Sequence, residues 1–345
     1  MKACVLEAVG KLVYKDVPTP EPKENEVLLK IKACGVCSSD IDRVFKTGTY
    51  NFPTIPGHEF CGEIVKAGSN VDSSMIGKKA VVFPLLPCNK CPSCEKENYA
   101  QCSNYNYFGS RCDGAFAEYL AAPVWNVLTF SDKVPFDHAA MCEPAAVAMH
   151  AVKLSELNKG DTICIVGTGT IGILCGLWAQ KQGAKNIIFI GRNARKKQFI
   201  ESLGFSNVLL DVDGLDAAIA NITEGKGVDI AFECVGSNQA ISTAIKSLKQ
   251  KGRMILVGNP EGDISLARNI YWKILRSELD VKGAWNSKYS SKDNDWKDVL
   301  KAMEDNDLPF DKLITGRHNL SEADKAFDRL REKTIFTVKE LFVNE

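Results

Sequence analysis

Long apolar runs and an excess of charge of either sign are both missing from this 345-residue chain. Lysine plus arginine and aspartate plus glutamate each number 43, so nothing in the overall balance favours nucleic acid or an anionic membrane. The one uncharged run long enough to resemble a membrane span, 162–180, contains four glycines and three threonines. A strand, a tight turn and a buried helix explain that run better. Glu7 and Lys11 interrupt the apolar core that an export signal needs, so we expect a cytoplasmic protein.

Cysteine is not scarce, because the chain has 13. In a long sequence without an export signal this number indicates reduced thiols and metal ligands rather than a disulfide framework. Four of the cysteines follow the spacing C-x2-C-x2-C-x7-C, which lets thiolates converge on one ion. Four sulfur ligands close a tetrahedral shell around zinc and leave no position for substrate, so we predict that this site stabilises a loop. Unrelated buried thiols or an iron–sulfur cluster are the alternatives. The ligands would be Cys88, Cys91, Cys94 and Cys102.

The sequence changes character twice along its length. Up to about residue 145, short β-prone runs are separated by glycine, proline and asparagine, which indicates an antiparallel β body. From about residue 161, apolar strands alternate with helical segments, and this alternation predicts a parallel sheet covered by helices on both faces. After about residue 280 the pattern is mixed again. The length and these changes together predict about two domains.

A glycine-rich motif opens the alternating region. Gly167, Gly169 and Gly172 form G-x-G-x-x-G directly after an apolar strand and at the start of an apolar helix. The first two glycines allow a tight turn and a close backbone approach, the third lets helix and strand pack together, and the helix N-terminus receives a pyrophosphate. The motif therefore predicts a bound dinucleotide and hydride transfer. We assign Thr170, Ile171 and Val257 to the same site.

The strand that follows lacks the acid that NAD-binding folds use. Such folds place an acid about 20 residues after the glycine motif, where it binds the adenosine ribose hydroxyls. Here that position is Gly191, and Arg192 and Lys196 follow it. Loss of the acid removes repulsion towards a 2′-phosphate, and the two cations can bind that phosphate. We predict that NADP(H) is preferred over NAD(H); a solvated helix start is the structural alternative.

Four polar residues in the β-rich region offer a second metal site. Cys37 stands in "ACGVCSSD", His58 and Glu59 stand in "IPGHEF", and Glu143 stands in "MCEPAAVAMH". Each of them alone has a simple structural explanation. Together they have the mixed sulfur, nitrogen and oxygen composition of a catalytic zinc site, in which a fourth position stays open for water or substrate. Ser39 follows two residues after Cys37 and is a candidate for the first hydroxyl of a proton relay, with loop capping as the alternative role.

Taken in order, "GHE", the four-cysteine segment, "GAFAEY", "EPAAVAMHA" and "GTGTIG" resemble the zinc-dependent medium-chain dehydrogenases over essentially the whole chain. "PLLPCNKCPSC", "FGSRCDGAFAEY" and "KILRSELDVKGAW" resemble the polyol branch of that family, which includes sorbitol and galactitol-1-phosphate 5-dehydrogenases. The resemblance implies that Cys37, His58 and Glu143 hold a catalytic zinc, with Glu59 as an alternative ligand or a carboxylate beside them. Gly191 with Arg192 departs from the usual pattern of the branch.

The same resemblance implies an α/β fold of two domains. A GroES-like antiparallel β domain would be built from 1–145 and 280–345, and a Rossmann domain with a doubly wound parallel sheet would span 146–279. Each of the two metal sites would hold one zinc ion. Because relatives usually assemble as dimers or tetramers, we expect a homodimer or a homotetramer.

The substrate is indicated less directly than the reaction. Ser110 and Arg111 resemble the phosphopolyol enzymes and indicate a site for a phosphate tail, although a solvated arginine fits the sequence as well. We predict the interconversion of a polyol phosphate and a ketose phosphate with NADP(H). An unphosphorylated polyol or another secondary alcohol with NAD(H) is the alternative. The remaining candidates for substrate contacts are Tyr50, Trp285 and Asn286.

Two interpretations of another class are open at this point. The chain could be a dinucleotide-binding protein without catalysis, but the mixed ligands Cys37, His58 and Glu143 are all present. It could also be a zinc-ribbon protein that binds nucleic acid, against which the neutral balance of charge argues. Neither interpretation explains the four-cysteine segment, the mixed ligand set and the glycine motif together.

Overall fold

A computed structural model describes residues 1–211, 214–333 and 335–344 of the chain. The chain forms two compact units: one comprises Met1–Glu143 and Lys288–Glu345, and the other is Pro144–Ser287. The residues 280–287, which the sequence assigned to the first domain, belong to the second unit. The reason is that a strand, Asp280–Gly283, joins the parallel sheet of that unit.

A mainly antiparallel sheet forms the body of the first unit. Its large sheet has the strand order β16-β17-β3-β4-β5-β9 with β8 also paired to β3, and β1 with β2 and β6 with β7 form two smaller ribbons. Only the β16–β17 pair is parallel among the described pairings of this sheet. Numbered along the whole chain, these strands are β1 Lys2–Ala8, β2 Lys11–Asp16, β3 Glu26–Val36, β4 Glu59–Ala67, β5 Lys79–Val82, β6 Leu85–Leu86, β7 Asn106–Tyr107, β8 Tyr119–Pro123, β9 Val127–Thr129, β16 Ile314–Asn319 and β17 Lys339–Val343.

Both ends of the chain share the core of this unit. The ring of Phe116 packs edge-on against Phe327 and Phe342, with centroids 5.8 and 5.0 Å apart, and all three rings are buried. The C-terminal segment is therefore part of the N-terminal domain. The helices of the unit are α1 Ser38–Asp42, α2 Pro92–Glu95, α3 Phe136–Ala139, α10 Asp295–Glu304, α11 Phe310–Leu313 and α12 Ala323–Glu332, and α4 Cys142–Leu154 begins in it.

A parallel sheet forms the second unit, with the strand order β12-β11-β10-β13-β14-β15. Its central strands are buried on both faces, as expected for a sheet between two layers of helices. The order reverses between β10 and β13, which is where such sheets bind ligands at their carboxyl ends. The elements are β10 Thr162–Val166, α5 Thr170–Lys181, β11 Asn186–Gly191, α6 Ala194–Ser202, β12 Asn207–Leu210, α7 Leu215–Ile222, β13 Val228–Glu233, α8 Asn238–Ser247, β14 Leu248–Leu256, α9 Arg268–Arg276 and β15 Asp280–Gly283.

The predicted fold class is confirmed in both units. An antiparallel β body and a doubly wound parallel sheet are present, with the strand arrangement that the two halves of the sequence indicated. Within the described ranges, no helix is both long and apolar enough to cross a bilayer.

Candidate metal and dinucleotide sites

Cys37 lies where strand β3 ends and helix α1 begins. Its backbone N–H donates to Asp40 Oδ2 at 3.0 Å, and the N–H of Asp40 donates back to the carbonyl oxygen of Cys37 at 3.0 Å. This reciprocal cap fixes the first turn of the short helix. The thiol of Cys37 is consequently held at the end of a central strand, where it is half-buried.

His58 immediately precedes strand β4, and its ring faces a carboxylate. Its Nδ1 lies 3.3 Å from Asp40 Oδ1, which also accepts a hydrogen bond from Arg43 Nη1 at 3.0 Å. Nδ1 makes no hydrogen bond within the described part of the chain, so the carboxylate acts on the ring through its charge. Burial lowers the pKa of His58, but the charge of Asp40 outweighs it and holds that pKa well above its usual range. The surroundings therefore favour positive charge at this ring.

Glu59 forms a buried ion pair with a lysine from the other end of the chain. Lys339 donates from Nζ to Glu59 Oε2 at 2.5 Å and to the carbonyl oxygen of Val36 at 3.2 Å. Gly35 makes room for the pair, because a Cβ at this position would lie 2.2 Å from Glu59 Oε2. Both charged side chains are almost fully buried, so each depends on the other for its charge balance.

Glu143, in the first turn of α4, is a buried carboxylate of a different kind. Its Oε1 accepts a hydrogen bond from the Tyr107 hydroxyl at 3.3 Å, and the Tyr107 ring lies 5.8 Å from that of His58. The hydroxyl is neutral and does not balance a negative charge. Burial raises the pKa of Glu143 to about 7. This side chain would therefore gain from a cation beside it.

The donor atoms gathered here suit zinc. Ligand atoms of Cys37, His58 and Glu59 lie within 4.8 Å of one another. Sulfur, nitrogen and carboxylate oxygen are all zinc ligands, and zinc sites of mixed composition are buried and tetrahedral. Glu143 lies outside this group of three but contacts Tyr107 beside it. Besides Asp40, the region thus offers two carboxylates as candidate ligands, of which that of Glu59 is already neutralised by Lys339.

A second cluster consists only of cysteine sulfurs. Cys91 Sγ lies 3.6 Å from Cys94 Sγ and 3.9 Å from Cys102 Sγ, and Cys88 completes a group within 4.8 Å. The backbone amides of Cys94 and Ser103 lower the pKa of Cys91 to about 5, so the thiolate form is favoured at that sulfur. Four converging sulfurs fit a closed tetrahedral zinc site.

The segment that carries these cysteines is hydrogen-bonded to the C-terminal part of the same unit. Lys288 Nζ donates to Asn98 Oδ1 at 2.6 Å, and the backbone N–H and hydroxyl of Ser291 donate to Glu97 Oε2 at 2.9 and 2.6 Å. These polar contacts help to fix the shape of the segment.

The glycine motif forms the turn between β10 and α5. Gly167 has a φ of +119°, a conformation that favours glycine. A Cβ on Gly172 would lie 2.1 Å from the carbonyl oxygen of Gly167, so helix α5 packs directly against the turn. At Gly169 an added Cβ would meet no atom within 4 Å, which leaves the backbone there open to a ligand. Thr170 and Ile171 form the first turn of α5.

A cleft of about 280 Å³ lies above this turn. It brings together five of the residues assigned to the cofactor, namely Gly167, Gly169, Gly191, Arg192 and Lys196. Arg192 is exposed and Lys196 is half-buried. Burial lowers the pKa of Lys196 to about 8. The open backbone, the helix start and two cations fit a dinucleotide that carries an extra phosphate. Val257 follows β14 and does not belong to the described lining of the cleft.

The substrate candidates lie in two places. Arg111 is held between two aromatic rings, with Cζ 4.2 Å from the ring centroid of Tyr50 and 4.5 Å from that of Tyr105. The buried Ser110 accepts a hydrogen bond at its carbonyl oxygen from the N–H of Tyr50. The N–H of Arg111 donates to the carbonyl oxygen of Tyr107, so one turn carries both Arg111 and the tyrosine beside the metal ligands. Trp285, which is 53% exposed, and Asn286 follow β15 in the other unit.

Five further residues beside these sites carry no assignment from the sequence, in addition to Thr168 of the glycine turn. Asp40 stands three residues after Cys37, and a carboxylate at this spacing indicates a cap on the first turn of a helix that begins after Cys37. Asp211 directly follows β12, where a strand-end acid also has a recognisable position; its Oδ2 accepts from Gln239 Nε2 at 3.0 Å. Arg43 lies three residues after Asp40 in the same local turn, whereas only the tertiary fold brings the other two to the candidate ligands. Those two are Tyr107 and Lys339.

Comparisons with known proteins agree with this architecture. The family model for the alcohol dehydrogenase GroES-like domain matches residues 23–132, and the model for zinc-binding dehydrogenases matches residues 170–305. Galactitol 1-phosphate 5-dehydrogenase of Escherichia coli (strain K12) is 32% identical over 324 residues, which is 92% of each chain. Sorbitol dehydrogenase of Bacillus subtilis (strain 168) is 28% identical over 95% of this chain and 93% of its own.

A solved structure from Sinorhizobium meliloti 1021, which has NADP bound, is 28% identical and superposes with a TM-score of 0.90 over 99% of each chain. The relatives differ in the substrates that their names give, whereas the two-domain zinc-binding framework is common to the family models. The chain therefore belongs to the zinc-dependent alcohol and polyol dehydrogenases of the medium-chain family, and it is an oxidoreductase.

Proposed function

We propose that this protein interconverts a secondary alcohol of a polyol phosphate and the corresponding ketose phosphate by hydride transfer with NADP(H). One observation carries the proposal: Cys37, His58 and Glu59 place their ligand atoms within 4.8 Å of one another, with Asp40 behind the histidine. A non-catalytic dinucleotide-binding protein would have no use for this buried donor set. The chemistry of the site is therefore that of an enzyme.

We assign the catalytic zinc to Cys37, His58 and Glu143. Glu59 lies nearer to the other two ligands, but its charge is already neutralised by Lys339. Glu143 faces only a neutral hydroxyl among its described hydrogen-bond partners, so a bound cation stabilises it more. Glu59 then stands beside the ligands and can replace one of them. The four-cysteine cluster would hold a second, structural zinc.

When zinc and the dinucleotide are bound, they supply Lewis-acid polarisation of the reacting oxygen and a hydride acceptor or donor. The chain's own residues position these groups and handle the proton. Ser39 Oγ accepts a hydrogen bond from Arg43 Nη1 at 2.9 Å, which leaves its own proton available to the substrate side. Ser39 can thus begin a relay that takes up or returns the proton of the alcohol.

The preference for NADP(H) is supported by the residues at the end of β11. Gly191 supplies no carboxylate, and Arg192 and Lys196 line the same cleft. Asp211 supports the alternative, NAD(H), because a carboxylate lines this cleft from the neighbouring strand end. Its Oδ2 is engaged by Gln239, and two cations outweigh one acid, so we favour the phosphorylated cofactor.

The preference for a phosphorylated substrate is supported by Arg111. Two tyrosine rings hold its guanidinium in a fixed orientation, and the turn that carries it also carries Tyr107 beside His58. Nη1 and Nη2 of Arg111 each donate one hydrogen bond at 3.3 Å, to the carbonyl oxygen of Tyr105 and the hydroxyl of Tyr50. A guanidinium fixed in this way is suited to a phosphate tail, since its charge is held in place and loses little side-chain freedom on binding. The relative that acts on galactitol 1-phosphate is consistent with this assignment. An unphosphorylated polyol is the alternative.

Self-association is also proposed, as a homodimer or a homotetramer. The second unit exposes large apolar side chains close together in sequence, and its edge strand β15 pairs on one side with β14. Exposed apolar surface beside an edge strand commonly marks an interface between copies. The exposed residues are Tyr271, Trp272, Leu275 and Val281.

Removal of the Cys37 thiol should abolish turnover while the fold survives. Purified Cys37→Ser would be screened with polyols and ketoses, each with and without a terminal phosphate, against NADPH and NADH. We expect a loss of at least about a thousandfold in kcat/KM and a zinc content lower by one ion, because a hydroxyl is a much weaker zinc ligand than a thiolate. Glu143→Gln and Glu59→Gln, measured together, decide which carboxylate is the ligand. A fully active Cys37→Ser protein would overturn the catalytic site.

Loss of a sulfur from the other cluster should affect stability first. We expect Cys94→Ser to lower the zinc content by one ion and the melting temperature by several degrees, since the segment depends on the metal for its shape. The control is Cys112→Ser, which removes a thiol outside both clusters. Unchanged stability of Cys94→Ser would contradict a structural role for this metal.

Arg192→Ala should weaken the binding of NADPH much more than that of NADH. The Kd for NADPH should rise by about tenfold or more, because the change removes a charged contact to the 2′-phosphate.

Lys196 should make the binding of NADPH depend on pH. Its pKa of about 8 in the free protein means that it is charged below pH 8 and loses its proton above it. NADPH affinity should therefore be full below pH 8 and fall above it, whereas NADH affinity stays level. Fluorescence titration of the cofactors between pH 6.5 and 9.5, with Lys196→Met as control, measures both effects. Equal losses for the two cofactors would reject the phosphate site.

Arg111→Ala should raise KM for a phosphorylated substrate by about tenfold or more and leave KM for its unphosphorylated analogue nearly unchanged. Arg111→Lys retains the charge but loses the planar guanidinium, so its KM should lie between wild type and Arg111→Ala. Steady-state kinetics with a matched pair of substrates gives the answer. A similar change for both substrates would show that Arg111 only supports the turn.

A further inference from the structure

Thr168 and Gly191 meet at the edge of the dinucleotide cleft. Thr168 lies between the first two glycines of the motif, and Gly191 is the last residue of β11. A Cβ added to Gly191 would lie 2.5 Å from Thr168 Cγ2 and 2.8 Å from Thr168 Oγ1. Both distances are far below van der Waals contact, so any side chain at position 191 would have to displace the threonine.

The position is the one from which NAD-binding folds direct an acid at the adenosine ribose. Here the side chain of Thr168 occupies the volume that the first atoms of such an acid would need. The absence of an acid at position 191 and the presence of a threonine at position 168 therefore depend on each other, because both side chains would need the same volume. Changing Gly191 alone cannot place a carboxylate there without a clash.

Thr168 also changes the chemistry of the cleft. It is half-buried and lines the cleft together with Arg192 and Lys196. Its hydroxyl can donate a hydrogen bond, which a carboxylate cannot do, and a phosphate offers several charged acceptor oxygens. Within the described residues, the structure shows no hydrogen bond from the Thr168 hydroxyl to another protein group. A donor is thus left facing the cleft beside two cations.

We propose that Thr168 is a second determinant of cofactor choice, which sterically excludes an acid at position 191 and donates a hydrogen bond to the 2′-phosphate of NADP(H). The inference rests on the proposed preference for NADP(H) and adds a residue to it. The steric part concerns only this chain's own packing, so it can be tested even if that preference is wrong.

The hydroxyl is tested by two single variants that separate the shape of the side chain from its hydrogen-bond donor. Thr168→Val keeps the shape of the side chain and removes the donor, whereas Thr168→Ser keeps the donor. Kd values for NADPH and NADH are measured by fluorescence titration of the full-length, zinc-loaded proteins. We expect the ratio of the NADPH Kd to the NADH Kd to rise about tenfold in Thr168→Val, as for loss of a hydrogen bond to a charged group. In Thr168→Ser it should change by less than about twofold. An unchanged ratio in Thr168→Val would overturn the donor role.

The steric exclusion of an acid by Thr168 is tested by a double-mutant cycle of Gly191→Asp, Thr168→Gly and the two changes combined. Beside the intact threonine, Gly191→Asp should lower the melting temperature of the cofactor-free protein and fail to improve NADH binding. Combined with Thr168→Gly, the same aspartate should tighten NADH binding by about tenfold relative to Gly191→Asp alone, and the melting temperature should recover relative to the sum of the single changes. If Gly191→Asp improves NADH binding equally with Thr168 and with Gly at position 168, Thr168 does not sterically exclude an acid at position 191.

A different result would contradict the proposed preference for NADP(H). In that case the wild-type protein would bind NADH more tightly than NADPH. The coupling between positions 168 and 191 is read from NADH affinity and melting temperature, which do not depend on that preference. Additive effects in the cycle would thus reject the inference on its own.

Discussion

The Asp40 carboxylate is the constraint on which the metal site depends. It is fully buried, and its two oxygens reach the N–H of Cys37, the guanidinium of Arg43 and Nδ1 of His58. One charge therefore fixes the turn that carries Cys37 and also lies beside the imidazole of His58. A buried carboxylate is stable only with such partners. The donors are consequently oriented before any ion arrives, which reduces the cost of binding it.

Charge balance explains why the site contains more carboxylates than it needs. Lys339 neutralises Glu59, whereas Glu143 has a tyrosine hydroxyl and a raised pKa. In a buried region, each unbalanced charge costs on the order of several kcal/mol, which is more than a neutral polar group without a partner costs. The difference between the two glutamates is thus set by their neighbours rather than by their distance from Cys37.

Much of this architecture could be predicted from the sequence, because the relevant signals are local. The glycine motif, the spacing of four cysteines and the alternation of strands and helices each lie within short segments, and the fold class followed from them. The predicted second domain boundary lies too early because β15 carries no strong strand pattern: two of its four residues are charged and a third is glycine. Lys339 and Tyr107 could not be found at all, since their partners lie 280 and 36 residues away in the chain. Thr168 was passed over because its significance lies in the volume it takes from Gly191, which no spacing rule reveals.

The placement of β17 in a sheet with β3 has a consequence for the order of assembly. Lys339 lies 280 residues after Glu59 in the chain, yet it balances the charge of that residue beside the candidate ligands Cys37 and His58. During synthesis, the N-terminal strands leave the ribosome long before this lysine does. Until then Glu59 has no counterion, and closing the β body around it is unfavourable. The first unit, although most of it is encoded before residue 144, is therefore completed only after Lys339 has been made, while residues 144–287 already contain the six described strands of their own sheet.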